Sequence, residues 1–391
     1  MTRTCFLLVL ALTTLTAEVR RDTRDPDNLV VHEWGTFTSV AGEHGEQVEW
    51  LPLEGQQDLP CFVERYRAFR IKSTISATVR METPVLYFYA PRDTSVDVAV
   101  RFPGGLVTEW YPRATVTPAA NVSDSSLASP GFVSTATWSG VAVTPGAAES
   151  FPTEPRSSHY YAARRTDAAP VSVGGQSEKF LFYRGVAKVR LPFSATVSAD
   201  GGAVVTGTGP LGTLVRFDRR NGRLGYEIRE SAGSSATIAT PALGADLEAL
   251  AARLEAILIK EGLYAREARA MVDTWRDSWF EEGTRLLYIM PRAAVDAMLP
   301  LDVKPRPTAT ARVFVGRMEL FTPATIADVT RALETRDRPA LLKYGRFLLP
   351  ISQRILASPS SGLDARALQT FIYGAFADLT RGSACPVVTA R

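Results

Sequence analysis

Carboxylates close to aromatic residues are the side chains of this sequence best suited to do chemistry. The candidates for a catalytic role are Glu33, Glu82, Glu109 and the adjacent pair Glu281 and Glu282. Two carboxyl groups with different pKa values can act as acid and base on a glycosidic bond, and neighbouring aromatic rings can stack on a sugar. The aromatic candidates for ligand contacts are Trp110, Tyr111, Trp275 and Trp279. In most proteins, however, such carboxylates are caps or salt-bridge partners, and an aromatic stripe at helical spacing belongs to the core.

His32 and Glu33 form the first half of the motif that binds zinc in metalloproteases. The motif requires a second histidine one helical turn further on, where this sequence has Thr36. The chain contains only three histidines, so a histidine-rich metal site is not expected. We therefore predict no metal ion and no cofactor. His32 is a further candidate for a catalytic base, although its commoner role would be that of a hydrogen-bonded strand residue.

The usual sequence signatures of enzymes and of nucleic-acid-binding proteins are absent. The sequence has no Gly-x-Ser-x-Gly elbow and no phosphate-binding Gly-Lys-Ser/Thr loop. The segment Gly207–Gly212 matches the dinucleotide fingerprint in its letters, but a strand pattern follows where the fingerprint requires a helix. The formal charge is only +3, and the basic residues are mostly scattered arginines, whereas a nucleic-acid-binding surface needs clustered basic charge.

The stretch Met81–Tyr89 is bulky, β-branched and aromatic, which predicts a buried strand at the centre of the fold. Pro84 restricts Thr83 to an extended conformation, so Glu82 should lie at one end of this strand. We expect an arginine such as Arg80 or Arg101 to pair with Glu82.

The hydrophobic pattern changes near residue 240. From Leu29 to Thr240, short runs of Val, Thr, Tyr and Phe alternate with Gly and Pro turns, which predicts an antiparallel, sandwich-like β domain. Residues 114–155 are rich in Ser, Thr, Ala and Pro, and we interpret them as a loosely ordered insertion in that domain. From residue 241 to 391 helical spacing dominates, which predicts a separate α-rich α+β domain.

The first residues predict export. Residues 1–17 have the basic, apolar and small-residue regions of a signal peptide, and residues 18–28 are interpreted as a linker. We expect a periplasmic or extracellular protein with no membrane span in the mature chain. In such a compartment Cys61 and Cys385 either form a disulfide or remain two buried thiols.

Three segments resemble exported bacterial proteins to which no activity is assigned: His32–Val40, Met81–Ala90 and Trp275–Pro291. This resemblance implies export from a bacterial cell and implies no catalytic residue or cofactor. Two functional hypotheses follow. The first is a non-catalytic envelope or secreted protein that binds a partner protein or a glycan ligand. The second is a carboxylate-dependent hydrolase acting on glycans, which requires two carboxylates with raised pKa values in one concave pocket.

Overall fold

The computed structural model describes residues 28–54, 58–66, 75–358, 362–380 and 385. The predicted signal peptide, residues 1–17, and almost all of the predicted linker lie outside these residues. The chain forms eighteen strands within the described ranges: β1 Val30–Val40, β2 Glu64–Arg65, β3 Val79–Tyr89, β4 Thr94–Pro103, β5 Gly105–Tyr111, β6 Thr115–Thr117, β7 Val133–Val143, β8 Val171–Val173, β9 Gln176–Glu178, β10 Leu181–Ala187, β11 Phe193–Val197, β12 Ala203–Gly207, β13 Gly212–Arg220, β14 Arg223–Ser231, β15 Ser235–Ile238, β16 Gly283–Ile289, β17 Leu301–Lys304 and β18 Ala309–Leu320.

Eight α-helices accompany them in the described ranges: α1 Asp124–Leu127, α2 Leu247–Lys260, α3 Ala265–Trp279, α4 Arg292–Met298, α5 Pro323–Glu334, α6 Arg338–Leu342, α7 Leu348–Ala357 and α8 Ala365–Thr380. Two 3₁₀ segments, His159–Arg164 and Gly345–Phe347, complete the set. The two longer early helices follow the sequence signals, since Asp246 caps α2 and Gly262 with positive φ separates it from α3. Among the described residues, none of the helices is both long and apolar enough to cross a membrane.

A nine-stranded mixed sheet forms the centre of the protein, in the order β14-β13-β16-β18-β1-β3-β10-β5-β2. The predicted buried strand is β3, and it pairs with β1 on one side and β10 on the other. β1 runs parallel to β18 over its whole length, from Val30 to Val40, and antiparallel to β3. The first half of the chain is therefore β-rich, as predicted, but its main sheet is not purely antiparallel.

One face of this sheet packs against two smaller sheets, one of order β17-β4-β7-β8-β9 and one of order β11-β12-β15. A single apolar cluster includes side chains from all three sheets, for example Phe37, Val98 and Ala203. The interpretation of residues 114–155 as a loosely ordered insertion is wrong, because this segment contains β6, α1 and the eleven-residue strand β7. Its small polar residues alternate with buried ones along β7, a strand pattern that composition alone conceals.

Helices cover the other face of the nine-stranded sheet in two separate groups. Trp34 and Val40 project from β1 to this same face, because residues an even number of positions apart in a strand share a face. Trp34 packs in a cluster with α2 and α3, whereas Val40 packs in a different cluster with α5 to α8. The stretch of β1 between them carries Thr36 and Thr38, so a polar gap separates the two helical groups.

The predicted domain boundary near residue 240 does not coincide with a break in the sheet. β16 and β18, which follow that boundary, lie in the middle of the nine-stranded sheet, between β13 and β1. The C-terminal part is helix-rich, as expected, but it also supplies central strands to the N-terminal part. A change of hydrophobic period marks where strands give way to helices and contains no information about which distant strands pair.

Candidate functional site

A band of buried polar side chains crosses the helix-covered face of the central sheet within the gap between the two helical groups. It runs over five neighbouring strands, β16, β18, β1, β3 and β10. The members of this polar band are Arg285, Arg317, Glu319, Thr36, Thr38, Arg80, Glu82 and Arg184, and each of them is buried. The sequence positions explain the shared face, because each of three strands contributes a pair of residues spaced two apart.

Glu82 is the centre of the polar band and is completely buried. Thr38 donates a hydrogen bond from Oγ1 to Glu82 Oε2 at 2.6 Å. Two guanidinium groups share the other oxygen: Arg80 Nε lies 3.3 Å from Oε1, and Arg346 donates a hydrogen bond to it. Burial alone would raise the pKa of Glu82, but the surrounding arginines, Arg346 first, outweigh it and lower the pKa to about 2.

A strained bulge in β3 turns Glu82 toward the polar band. Thr83 has a φ of +47°, which is a rare conformation for a β-branched residue, so the prediction of an extended Thr83 is wrong. Glu82 accordingly lies within β3 and not at its end. The registers of β3 with β1 and with β10 both shift at this point, so the strand contains an extra residue there. Gly35 faces the bulge on β1, and a Cβ atom on it would lie 3.1 Å from Pro84 Cα and 2.8 Å from a carbon of Phe314. Strain of this kind is typical of functional sites.

A cavity of about 200 Å³ lies over the polar band, between the two helical groups. Its wall consists of Glu54, Asp58, Arg80, His159, Asp277, Ser278, Glu281, Gly345, Arg346 and Leu379. These residues come from five parts of the chain: the segment around Asp58, strand β3 at Arg80, the 3₁₀ segment at His159, the end of α3 and the region from Gly345 to α8. The site therefore exists only in the folded chain.

His159 lies in the cavity wall between two carboxylates. Its Nδ1 is 3.2 Å from Asp277 Oδ2, and its Nε2 is 3.4 Å from Asp58 Oδ2. Burial alone would lower the pKa of His159, but Asp277 and Asp58 raise it to about 9. Asp58 also accepts two hydrogen bonds from Arg184, at 2.7 and 3.0 Å. These charges outweigh burial and hold the pKa of Asp58 well below its usual value.

Ser278 closes the polar band at the end of α3. Its Oγ accepts hydrogen bonds from Arg317 Nη1 at 2.7 Å and from Arg346 Nη2 at 3.0 Å. Arg317 also donates to Glu281 at 2.6 Å. Two guanidinium groups thus share one neutral hydroxyl oxygen, where an oxyanion would be the more usual acceptor for two such donors.

A disulfide lies beside the cavity. Cys61 and Cys385 are bonded to each other, with their Cα atoms 5.4 Å apart. Cys61 is three positions after Asp58, and Cys385 follows α8, which carries the cavity residue Leu379. Of the two possibilities that the sequence left open, the structure contains the bonded one, and this bond joins two of the chain segments that form the cavity wall.

Of the predicted catalytic residues, Glu281 lines this cavity and Glu82 lies in the polar band beneath it. Glu33 is buried on the opposite face of the sheet, where it accepts hydrogen bonds from Arg312 Nε and the hydroxyl of Tyr183. Of the two expected partners of Glu82, Arg80 is present, whereas Arg101 lies exposed on β4 in another sheet.

The remaining predicted polar residues occupy separate positions outside the cavity. Glu109 accepts a hydrogen bond from the neighbouring Thr108, and Glu282 accepts one from the backbone of Asn221 at 2.5 Å. His32 Nδ1 lies 2.7 Å from buried Glu267, and its ring packs on Tyr264 with centroids 4.4 Å apart. None of these groups is in a position to act together with Glu82.

The four aromatic candidates for ligand contacts are core residues. Trp275 and Trp279 are completely buried and stack on each other, and Trp110 and Tyr111 are buried as well. None of the four offers an exposed platform for a sugar. The helical spacing of Trp275 and Trp279 reflects a face of α3 packed against the sheet, and Trp110 and Tyr111 belong to strand β5. Trp275 nevertheless supports the site, since its ring lies 5.6 Å from that of His159.

Sequence analysis missed most of the residues that line the cavity. Asp58, His159, Asp277 and Ser278 were not singled out, because isolated polar residues in separate segments carry no spacing signal. One signal was available: arginines at the buried positions of strand patterns, such as Arg80 and Arg317, are uncommon and need partners. In the part of the chain that the structure describes, no group of three or more His, Cys, Asp or Glu residues is arranged to hold a metal ion.

Comparisons with known proteins add no functional information. No family model matches the chain, and no curated protein matches it. Among solved structures, the yeast delta-COP-I mu-homology domain matches over 75% of this chain and 97% of its own, with 9% identity and a TM-score of 0.26. A likeness this weak supports no argument about fold or function, so the function has to be inferred from the cavity itself.

Proposed function

We propose that this chain is an exported, non-catalytic ligand-binding protein and that its ligand occupies the cavity between the two helical groups. The observation that carries the proposal is the polar band below the cavity. Buried ion pairs contribute little net stability compared with apolar residues of similar size, so stability gives no reason for so many buried charges in one place. A ligand that contacts these charges does give a reason.

Export is part of the proposal and rests on two features of the chain. Its first residues have the pattern of a signal peptide. The disulfide between Cys61 and Cys385 is typical of proteins from oxidising compartments. We propose a periplasmic or extracellular location on this basis, and N-terminal sequencing of the protein from its native host tests it. A mature chain that begins near Glu18 supports export, whereas intact Met1 on cytoplasmic protein would contradict it.

The cavity favours binding over the carboxylate-dependent hydrolase. A glycoside hydrolase of that type needs a carboxylic acid with a raised pKa, which keeps its proton near neutral pH. The pKa values of Asp58 and Asp277 are both lowered, since His159 and, for Asp58, also Arg184 favour their ionised forms against the effect of burial. The cavity, at about 200 Å³, is also smaller than the roughly 300 to 1,000 Å³ usual for drug-sized ligands, which favours a small ligand or a single small group of a larger one.

The hydrolase remains the second candidate because of one residue. His159 has a pKa of about 9, and as an imidazolium at neutral pH it could donate a proton to a leaving group. Chromogenic glycosides and esters test this hypothesis when wild-type protein is compared with His159→Gln. Our proposal predicts that the wild-type protein hydrolyses these substrates no faster than His159→Gln does. Hydrolysis by the wild type that is absent in His159→Gln would establish the hydrolase instead.

A cavity-filling variant tests the proposed binding site. Leu379 is half-buried in the cavity wall, so Leu379→Trp should occupy part of the space without removing a charge. A matched control is Ile259→Trp on the exposed side of α2. In a thermal-shift screen of small polar metabolites, we expect compounds that stabilise the wild type and the control but not Leu379→Trp. Compounds that stabilise all three proteins equally, or a screen without any stabilising compound, would contradict the proposal.

A further inference from the structure

The balance of charge around the cavity indicates what kind of group it takes. Five cationic side chains lie close to the cavity and are at most 16% exposed: Arg80, Arg184, Arg317, Arg346 and His159. Three of the nearby carboxylates, Glu82, Asp58 and Glu281, are at most 21% exposed. The two remaining carboxylates of the wall are Asp277, whose side chain is 68% exposed, and Glu54, which is also exposed, so water screens the charge of both. The next ion pair of the polar band, Arg285 with Glu319, adds one charge of each sign. Including it leaves the excess of positive charge among the buried groups unchanged.

The buried carboxylates at the cavity are already neutralised by partners, whereas several donors have capacity to spare. Asp58 is paired with Arg184, Glu281 with Arg317, and Glu82 with two arginines. By contrast, His159 Nε2 makes no hydrogen bond to any described residue, since its 3.4 Å approach to Asp58 lacks hydrogen-bond geometry. Ser278 accepts from two guanidinium groups, which leaves its own hydroxyl proton free to donate.

We propose that the cavity binds a compact oxyanion group, such as phosphate, sulfate or carboxylate, which accepts hydrogen bonds from Arg80, Arg346, Ser278 and His159. This inference rests on the proposed function, because it names the ligand class for the same cavity. Guanidinium groups recognise such oxyanions with two parallel hydrogen bonds, and a partly desolvated cavity strengthens them. An oxyanion would also balance the excess of guanidinium groups around Glu82.

Repulsion between guanidinium groups is visible at two of the arginines. Burial lowers the pKa of Arg80 and of Arg317, and neighbouring guanidinium groups lower each of them further. Repulsion between these groups is the cost of placing them together, and an anion in the cavity would relieve it. Near Arg80 and Arg317 an anionic group is therefore favoured over an ammonium group, whereas at Arg184 and Arg346 nearby carboxylates outweigh burial and raise the pKa.

Isothermal titration of the full mature chain with inorganic phosphate and with sulfate tests the inference, with chloride keeping the ionic strength constant. Three variants accompany the wild type: Arg346→Gln and Ser278→Ala in the cavity, and Arg331→Gln as a control on the exposed side of α5. We expect phosphate or sulfate to bind the wild type, at least tenfold weaker binding to Arg346→Gln, about fivefold weaker binding to Ser278→Ala, and unchanged binding to the control. If Arg346→Gln does not fold, the affinity of Ser278→Ala for phosphate or sulfate tests the inference.

Two results would overturn the inference. One is the absence of any phosphate or sulfate binding to the wild type, and the other is binding that none of the cavity variants weakens. The thermal-shift screen with Leu379→Trp distinguishes a wrong ligand class from a wrong binding site. If a neutral or cationic compound stabilises the wild type but not Leu379→Trp, the cavity is a ligand site and only the oxyanion class is wrong.

Discussion

Glu82 shows how one buried residue organises the site. It accepts hydrogen bonds from Thr38 and Arg346 and lies beside Arg80, so it connects the two central strands with the helical group that carries Arg346. Removing one partner of such a buried pair leaves an uncompensated charge, which is far more costly than replacing the whole pair. In the proposed function, Glu82 holds these arginines in place for the ligand.

The first prediction is that Glu82→Gln destabilises the protein at neutral pH by on the order of 3 kcal/mol, because Arg80 and Arg346 lose their shared carboxylate. The lowered pKa of about 2 means that this contribution is complete above pH 4.5 and is lost as the pH falls through 2. Urea unfolding at several pH values measures it. Glu230→Gln, in an exposed pair, should change the stability by less than about 0.5 kcal/mol. A Glu82→Gln variant as stable as the wild type would contradict this role.

The second prediction concerns His159, whose contribution to stability falls as the pH rises, whereas that of Glu82 falls as the pH decreases. Its pKa is raised from 6.5 to about 9, so its charged form stabilises the fold fully below pH 6.5, and this contribution is lost as the pH rises through 9. The difference in unfolding midpoint between wild type and His159→Gln should therefore be largest at pH 6 and should vanish above pH 9. The exposed residue His44 provides the control His44→Gln. A difference that stays constant or grows with pH would show that His159 is not held as an imidazolium.

At the scale of elements, the bulge in β3 determines the position of the site. Without the extra residue at Thr83, Glu82 and Val85 would point to opposite faces of the sheet, whereas both now face the helices. The sequence predicted β3 as a buried strand, and its apolar run accounts for that success. The sequence of β3 carries no sign of the bulge, because a bulge depends on the room that a neighbouring strand leaves, here at Gly35 of β1 opposite Pro84.

The third prediction tests the strain at Thr83. Thr83→Gly removes backbone strain of about 1 to 2 kcal/mol, which offsets the entropic cost of glycine, about 1 kcal/mol. The variant should therefore be at least as stable as the wild type in urea unfolding. Thr137→Gly in β7 is the matched control, since Thr137 lies within a regular strand pairing, and it should be less stable. Equal destabilisation by both substitutions would mean that Thr83 stores no strain.

At the scale of the whole molecule, the parallel pairing of β1 with β18 unites the two halves of the chain. Local pattern located most of the helices and strands on either side of residue 240, because hydrophobic period and caps are properties of neighbouring residues. It could not show that residues 309–320 return to the centre of the sheet. For the same reason it could not show that Asp58, His159 and Ser278 meet around one cavity.

The fourth prediction is that residues 28–244 alone do not fold cooperatively. In this fragment β1 loses its partner β18, and β13 loses β16, so the nine-stranded sheet is cut in its middle. Edge strands exposed in this way favour aggregation over folding. Circular dichroism during urea unfolding, with the whole chain as reference, measures the outcome. A cooperative transition of the fragment would restore the interpretation as two separable domains.

The central claim is that ligands of this protein bind in the cavity over the polar band, and the imidazole signals of His159 and His44 test it most directly. In nuclear magnetic resonance spectra of histidine-labelled protein, with His44→Gln and His159→Gln used for assignment, a bound ligand should shift the His159 signal and leave that of exposed His44 unchanged. The shift should be absent in Leu379→Trp. Ligands that stabilise the protein without any change at His159 would contradict the claim, because they would have to bind elsewhere.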